Sequence, residues 1–208
     1  MEYAYHLKLV EPGGSGFRDV TGLAQSVTWS GDAKQIARTL SAGLAVPRDG
    51  SVEAPNLAEG VALILEQAGK VRFTGQLTQC STSSQTVVAD LSALDGGRFL
   101  AGNEGFYRFD NVTPEAAVAA MCRDFGILTG TLAPTGISVR RKFPGVALDK
   151  IVTTLYTLAG EQTGKRYLPR ITGDGRLEVV EKPGAASLEI VRTMGVANSW
   201  SIERLCNS

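Results

Sequence analysis

The chain has 208 residues, 43% of them hydrophobic and 20% charged, enough to bury a sizeable core in one large domain or two small ones. Its 21 basic residues balance 21 acidic ones. That balance argues against the basic footprint of a nucleic-acid binder and against electrostatic adsorption to anionic membranes. No apolar run approaches the ~18 residues of a transmembrane helix. The segment Met1-Glu2-Tyr3-Ala4-Tyr5-His6 lacks the basic and apolar regions of a signal peptide, so retention in a cytoplasm is expected. Three scattered cysteines, Cys80, Cys122 and Cys206, make a poor disulfide framework and are expected to be packing residues in a reducing compartment.

The first hundred residues read as β. Tyr3, Tyr5, Leu7 and Leu9 alternate with His6 and Lys8, the period of a half-buried strand. Residues 11–16 break that strand, and Asp19-Val20-Thr21 starts a short new segment. Val27-Thr28-Trp29-Ser30-Gly31-Asp32 predicts a strand entering a turn, and Leu40, Ala42, Leu44 and Val46 alternate with Thr39, Ser41, Gly43 and Ala45. Pro47-Arg48-Asp49-Gly50 turns the chain. Gly60 to Leu65 is apolar enough to predict a strand buried on both faces. Val71, Phe73 and Leu77 then share one face, and Thr86 to Leu94 gives one more strand. Short strands with glycine-rich turns predict an antiparallel barrel or sandwich over residues 1–107.

A different pattern follows. Thr113-Pro114-Glu115 predicts a helix start, with Thr113 as N-cap, Pro114 in the first helical position and Glu115 against the positive end of the dipole. Val118, Met121, Cys122 and Phe125 continue at helical spacing, and Gly126 stops the helix. A second helix is predicted from Leu148 to about Ala159, without a side-chain cap at Ala147. Residues 165–171 and 176–180 flank Gly173-Asp174-Gly175 and predict a hairpin. The sequence thus divides into a β-barrel over 1–107, a small α/β domain over 108–184 with two helices and a hairpin, and the start of a further β domain over 185–208.

Chemistry is sparse. The only histidine, His6, lies among aromatic and aliphatic neighbours on a strand, which leaves histidine-dependent triads and zinc sites without their central residue. Gly13-Gly14-Ser15-Gly16 lacks the Lys-Ser/Thr of a phosphate loop. Asp90 with Asp95 and Asp32 with Glu53 are the carboxylate pairs that in principle could converge for glycoside cleavage, but the acidic residues are scattered at ordinary density near turns and are expected to be solvated surface. Asn111-Val112-Thr113 matches a glycosylation acceptor, with Thr113 better used as a cap. Arg140-Arg141-Lys142 is the one basic run, and Trp29 and Trp200, the only tryptophans, are expected in the core. No catalytic, cofactor-binding or metal-binding residue is assigned, and no cofactor is expected.

Several stretches, taken in order, are similar to a known family. They are Asp19-Val20-Thr21, Val27 to Asp32, Ala37-Arg38-Thr39-Leu40, Phe109 to Glu115, Cys122 to Ile127, Gly145 to Ile151, Ala159 to Lys165, Gly175 to Val179 and Ser199-Trp200-Ser201-Ile202-Glu203. Together they resemble the XkdQ/YqbQ proteins, baseplate hub proteins of contractile-tailed phages and defective prophages. The resemblance implies tube-like β-barrel domains with an inserted α/β domain and no catalytic residues. It further implies a homotrimeric ring joining tail tube to central spike, beside a LysM-type baseplate protein. Such a protein is expected in the host cytoplasm during assembly and then in the virion tail. Members of the family run on for about another domain, so the chain is expected to be a truncated piece. The competing readings are a tail-associated peptidoglycan hydrolase using two carboxylates and a saccharide-binding module with Trp29 or Trp200 as its platform.

Overall fold

The computed structural model describes residues 5–10, 16–32, 35–46, 53–82 and 87–182. The sequence readings at 11–15, 47–50 and 185–208, including Trp200 and Cys206, lie outside the described residues. The fold is mostly β, with a curled seven-stranded sheet, two smaller sheets and three helices.

The large sheet contains β1 (Tyr5–Val10), β2 (Arg18–Asp19), β3 (Ala24–Gly31), β4 (Arg38–Ala45), β5 (Ala62–Gln67), β6 (Lys70–Thr82) and β7 (Val88–Asp95). Its spatial order is β2-β1-β5-β6-β7-β4-β3, antiparallel throughout. Consecutive strands β2 and β3 therefore stand at opposite edges, joined only by Val20 and a single 3-10 turn at Thr21–Leu23. Four intervening residues span at most ~14 Å, so the sheet must curl until its edges approach. This is half of a barrel. The closed barrel expected from the sequence is not formed among the described strands, because no ladder joins the two edges.

The alternation read from the sequence places the core on the concave side. Leu7, Leu9, Leu40, Ala42, Leu44, Leu63, Leu65, Phe73, Leu77, Leu91 and Ala93 form one buried cluster. Two expectations need correction. The apolar segment before β6 is buried on one face only: Val61, Leu63 and Leu65 are buried, whereas Ala62 and Ile64 are partly exposed. Val71, expected beside Phe73 and Leu77, is exposed. A register shift between Leu65 and Glu66 pairs Val71 with Glu66, and a bulge of this kind rotates the following side chain off its face. The β5–β6 hairpin turns through Ala68 and Gly69, both with positive φ (48° and 71°), the two-residue geometry that matches strand twist.

A second cluster forms around helices α1 (Gly97–Gly102), α2 (Pro114–Asp124) and α3 (Leu148–Thr163). α2 begins as the sequence predicts, with Thr113 Oγ1 accepting from Ala116 N at 3.4 Å. Glu115 does more than face the dipole: it accepts from the backbone N (3.3 Å) and hydroxyl (2.9 Å) of Thr135, fixing a distant loop. α3 runs one turn beyond Ala159, to a left-handed cap at Gly164. Leu148, Ile151, Val152, Leu155 and Ala159 are fully buried along it. Strands β8 (Glu104–Val112) and β10 (Val139–Ala147) pair with each other, while β11 (Tyr167–Ile171), β12 (Leu177–Glu181) and β9 (Thr129–Leu132) form a third sheet. β11 and β12 are the expected hairpin, closed by Thr172 N donating to Arg176 O at 2.9 Å. α1 and the β8–β10 pair were not foreseen. Their residues carry mixed burial without a clean period, as in the pattern eBeieBeei of β8.

The two clusters meet at glycines. A Cβ on Gly97 would stand 2.5 Å from the Ala37 backbone, and one on Gly173 would stand 2.0 Å from Val71 O. Ile36, on the connection from β3 to β4, packs into the helical cluster and not into its own sheet's core.

Candidate functional site

Among the described residues β3 is the outermost strand on its side, paired with β4 alone. Its sequence, Ala-Gln-Ser-Val-Thr-Trp-Ser-Gly, contains no charge and no proline. Natural sheets protect a bare edge with such residues because unpaired N–H and C=O groups invite another strand. Eight unprotected residues are long for an edge.

Trp29 sharpens the point. It lies cross-strand from Leu40, which is fully buried, so both side chains stand on the core face. Yet Trp29 is 41% exposed, against the expectation that it is core. Among the described residues the core face is open at this edge. The Arg38 guanidinium lies over the ring, 5.3 Å from its centroid. Trp29, Ser30, Gly31, Asp32, Gln35, Arg38, Leu168, Pro169 and Lys182 bound a groove of about 340 Å³ beside it. Burial and the nearby charge of Arg170 lower the pKa of Arg38 from its ordinary value, and Asp95 partly offsets this.

Asp95 is almost fully buried and fixes the start of β4 to α1. It accepts from Arg38 N at 3.1 Å and Gly97 N at 2.9 Å. Burial pushes its carboxyl above the ordinary range in spite of those bonds. Asp90 stands five positions away on the same strand, exposed on the opposite face. Five strand residues span ~17 Å, well beyond the roughly 5–9.5 Å between glycosidase carboxylates. Nor do Asp32 and Glu53 form a site. Asp32 borders the Trp29 groove, whereas Glu53 is paired with Arg18 of β2 at 3.8 Å.

The remaining candidates have structural neighbours. His6 Nδ1 is 3.1 Å from Asp19 Oδ2, on the outer side of β1. Burial alone would raise the Asp19 pKa, but hydrogen bonds from Thr21 and His6 outweigh it and hold the carboxyl below its ordinary value. Cys122 is fully buried and its thiol is pushed up to about 11 by that burial. Arg140 is clamped by Asp110 at 2.7 and 2.9 Å, which offsets one charge of the basic run. Among the described residues no group of three His, Cys, Asp or Glu is placed to hold a metal, and no helix is long and apolar enough to cross a membrane.

The open edge was not singled out from the sequence. Its signal was present in β3, a strand without charge or proline, but strand order is needed to know that, among the described residues, one side of the strand is unpaired.

Comparison with known proteins agrees with this architecture. A family model described as YQBQ-like matches residues 27–203. The phage-like element PBSX protein XkdQ of Bacillus subtilis (strain 168) is 26% identical over 152 residues, 70% of this chain and 44% of XkdQ. YqbQ of the same organism is 22% identical over 178 residues, 82% of this chain and 52% of YqbQ. The chain thus spans about half the length of these relatives. The 43 kDa tail protein of prophage MuSo2 from Shewanella oneidensis superposes with a TM-score of 0.61 at 16% identity, covering 84% of this chain and 54% of that one. A tail protein of Neisseria meningitidis MC58 gives 0.62 at 16% identity, with 85% and 50% covered. At such identities the likeness is one of fold.

Proposed function

The chain belongs to the YQBQ-like family, and on that premise we propose that it is a structural part of a phage-like tail, the N-terminal portion of the central hub of a contractile-tail baseplate. The family match across residues 27–203 carries this reading, and tail proteins of the same fold support it. In this reading the protein is not an enzyme. Residues 1–107 form a tube-like domain, 108–184 an α/β domain beside it, and 185–208 lead into the next β domain. Three copies of the full-length protein make a ring that adapts tail tube to spike, next to a LysM-type neighbour. The half-barrel suits such a role, because a curled sheet with open edges is completed by strands from elsewhere. Assembly takes place in the host cytoplasm and the finished protein resides in the virion tail.

The test is the solution mass, by light scattering, of the chain extended through its natural reading frame. Three copies are expected. A monomer that persists at high concentration overturns the ring. A second reading, saccharide binding, has one observation in its favour: the exposed Trp29 beside Asp32, Gln35 and Arg38. Titration with cell-wall fragments, followed by tryptophan fluorescence, tests it, and an unchanged spectrum removes it.

A further inference from the structure

We propose that the outer face of the β8–β10 pair is a docking surface for an acidic partner protein, one that presents carboxylates beside an apolar pocket. The face is built from three cross-strand rows. Phe106 stands opposite Pro144 and Arg108 opposite Lys142, while Asp110 holds Arg140 at 2.7 and 2.9 Å. All six residues are exposed, whereas Phe109 and Phe143 of the same strands pack into the helical core.

Phe106 supplies the apolar half of the argument. It is 80% exposed, more than any other large hydrophobic side chain among the described residues. Its ring nevertheless has a seat: a Cβ on Gly145 would stand 3.1 and 3.3 Å from two ring carbons, so the ring lies against that glycine. Gly145 has a φ of 66° and falls in the register shift between Pro144 and Val146. The backbone under the ring is thus a glycine conformation at a bulge. An aromatic side chain held in place at a surface is the kind of anchor that dominates protein interfaces.

The charges say what the partner carries. Directly opposed side chains have Cβ atoms about 5 Å apart, and like charges in that position repel. Among the described residues neither Arg108 nor Lys142 has an ion pair or side-chain hydrogen bond to offset the repulsion. A carboxylate set between them removes it and adds two charge-assisted bonds. The basic run of the sequence is thereby divided. Arg140 is neutralised by Asp110, Arg141 borders a groove against α3 with Lys150 and Thr153, and Lys142 faces out beside Arg108. Nucleic acid fits this face poorly, because a single-strand platform needs a basic track with several aromatics. Here one ring adjoins one cationic row, and the exposed carboxylates of Glu104 and Asp110 bracket them along β8.

The inference rests on the tail reading only for where the partner is met, and its test keeps the two apart. The full-length protein carrying Phe106→p-benzoylphenylalanine is irradiated in producing cells and in purified tails. The expected product is an adduct with a different protein, mapped to a peptide with two or more Asp or Glu beside apolar residues. In the same background Arg108→Glu with Lys142→Glu should lower the adduct yield about tenfold or more, since opposed like charges are strongly unfavourable at interfaces. Arg108→Lys with Lys142→Arg should keep it. Circular dichroism of each chain checks folding, and Arg108→Ala serves in place of the double reversal if that chain does not fold. No adduct in cells or tails overturns the proposal. So does an adduct to nucleic acid, to a second copy, within the same chain or to a peptide without carboxylates, and so does a yield indifferent to charge reversal. Absence of the protein from purified tails sinks the tail reading alone, because the adduct in cells still reads this face.

Discussion

The curled sheet and the helical region solve the same burial problem in different ways. Among the described residues the half-barrel buries one face of its sheet and leaves its two edges unpaired. The helical region wraps three helices and five short strands around a core that is closed on itself, with Leu148, Ile151, Val152 and Leu155 at no exposure. A helix satisfies most of its own backbone, so the three helices need mainly side-chain packing, although the two small sheets beside them keep edges of their own. A sheet passes the obligation outward until something ends it. The contrast teaches where partners are to be sought: on the sheets.

The largest test of that contrast compares Leu155→Ala with Leu40→Ala. Both side chains are fully buried, and each loss is expected to cost about 2–5 kcal/mol in urea unfolding. If the regions are separate cooperative units, Leu155→Ala releases amides of α2 and α3 to exchange while β5 to β7 stay protected, and Leu40→Ala does the reverse. Uniform loss in both would show one unit. Next comes Ile36→Ala, expected at about 2–4 kcal/mol. Although it lies between two strands of the large sheet, its packing predicts that the helical region loosens first.

Gly97→Ala should follow at about 1–3 kcal/mol, because its methyl would drive into the Ala37 backbone and force the two regions apart. Thr113→Ala is expected to cost about 1 kcal/mol through loss of the α2 cap, with the effect confined to the helical region. Asp19→Asn is the smallest. The Asp19 carboxyl lies below its unfolded-state pKa, so its contribution is present above that value and disappears as pH falls through the depressed one. Its side chain is 43% exposed, and screening limits the loss at pH 7 to about 0.5 kcal/mol or less. The difference from wild type should be full above the ordinary carboxylate pKa of about 3.9 and fade as pH falls below it.

Much of this could be read in the sequence where one element carried its own signal. Thr113-Pro114-Glu115 fixes a helix start by local chemistry, and Leu40, Ala42 and Leu44 show their buried face by period alone. The misses share a cause. Val71 left its expected face because a register shift in β5–β6 pairing is invisible in either strand by itself. Trp29 looked like a core residue and does stand on the core face, but its exposure depends on what lies beyond β3. β8 and β10 were missed because their pattern is set by helices packed across them rather than by alternation.

By itself, then, the sequence determined the β-then-mixed organisation, the α2 cap, the α3 apolar stripe, the β11–β12 hairpin and the family resemblance, all from contacts within a few residues or from ordered motifs. Only the tertiary structure decided that the sheet is a half-barrel, that Ile36 serves the other core, and that the candidate carboxylates do not converge. Strand order joins residues far apart in the chain, such as Leu9 with Leu63 and Ser41 with Ser92, and no local pattern states which edge is left without a neighbour.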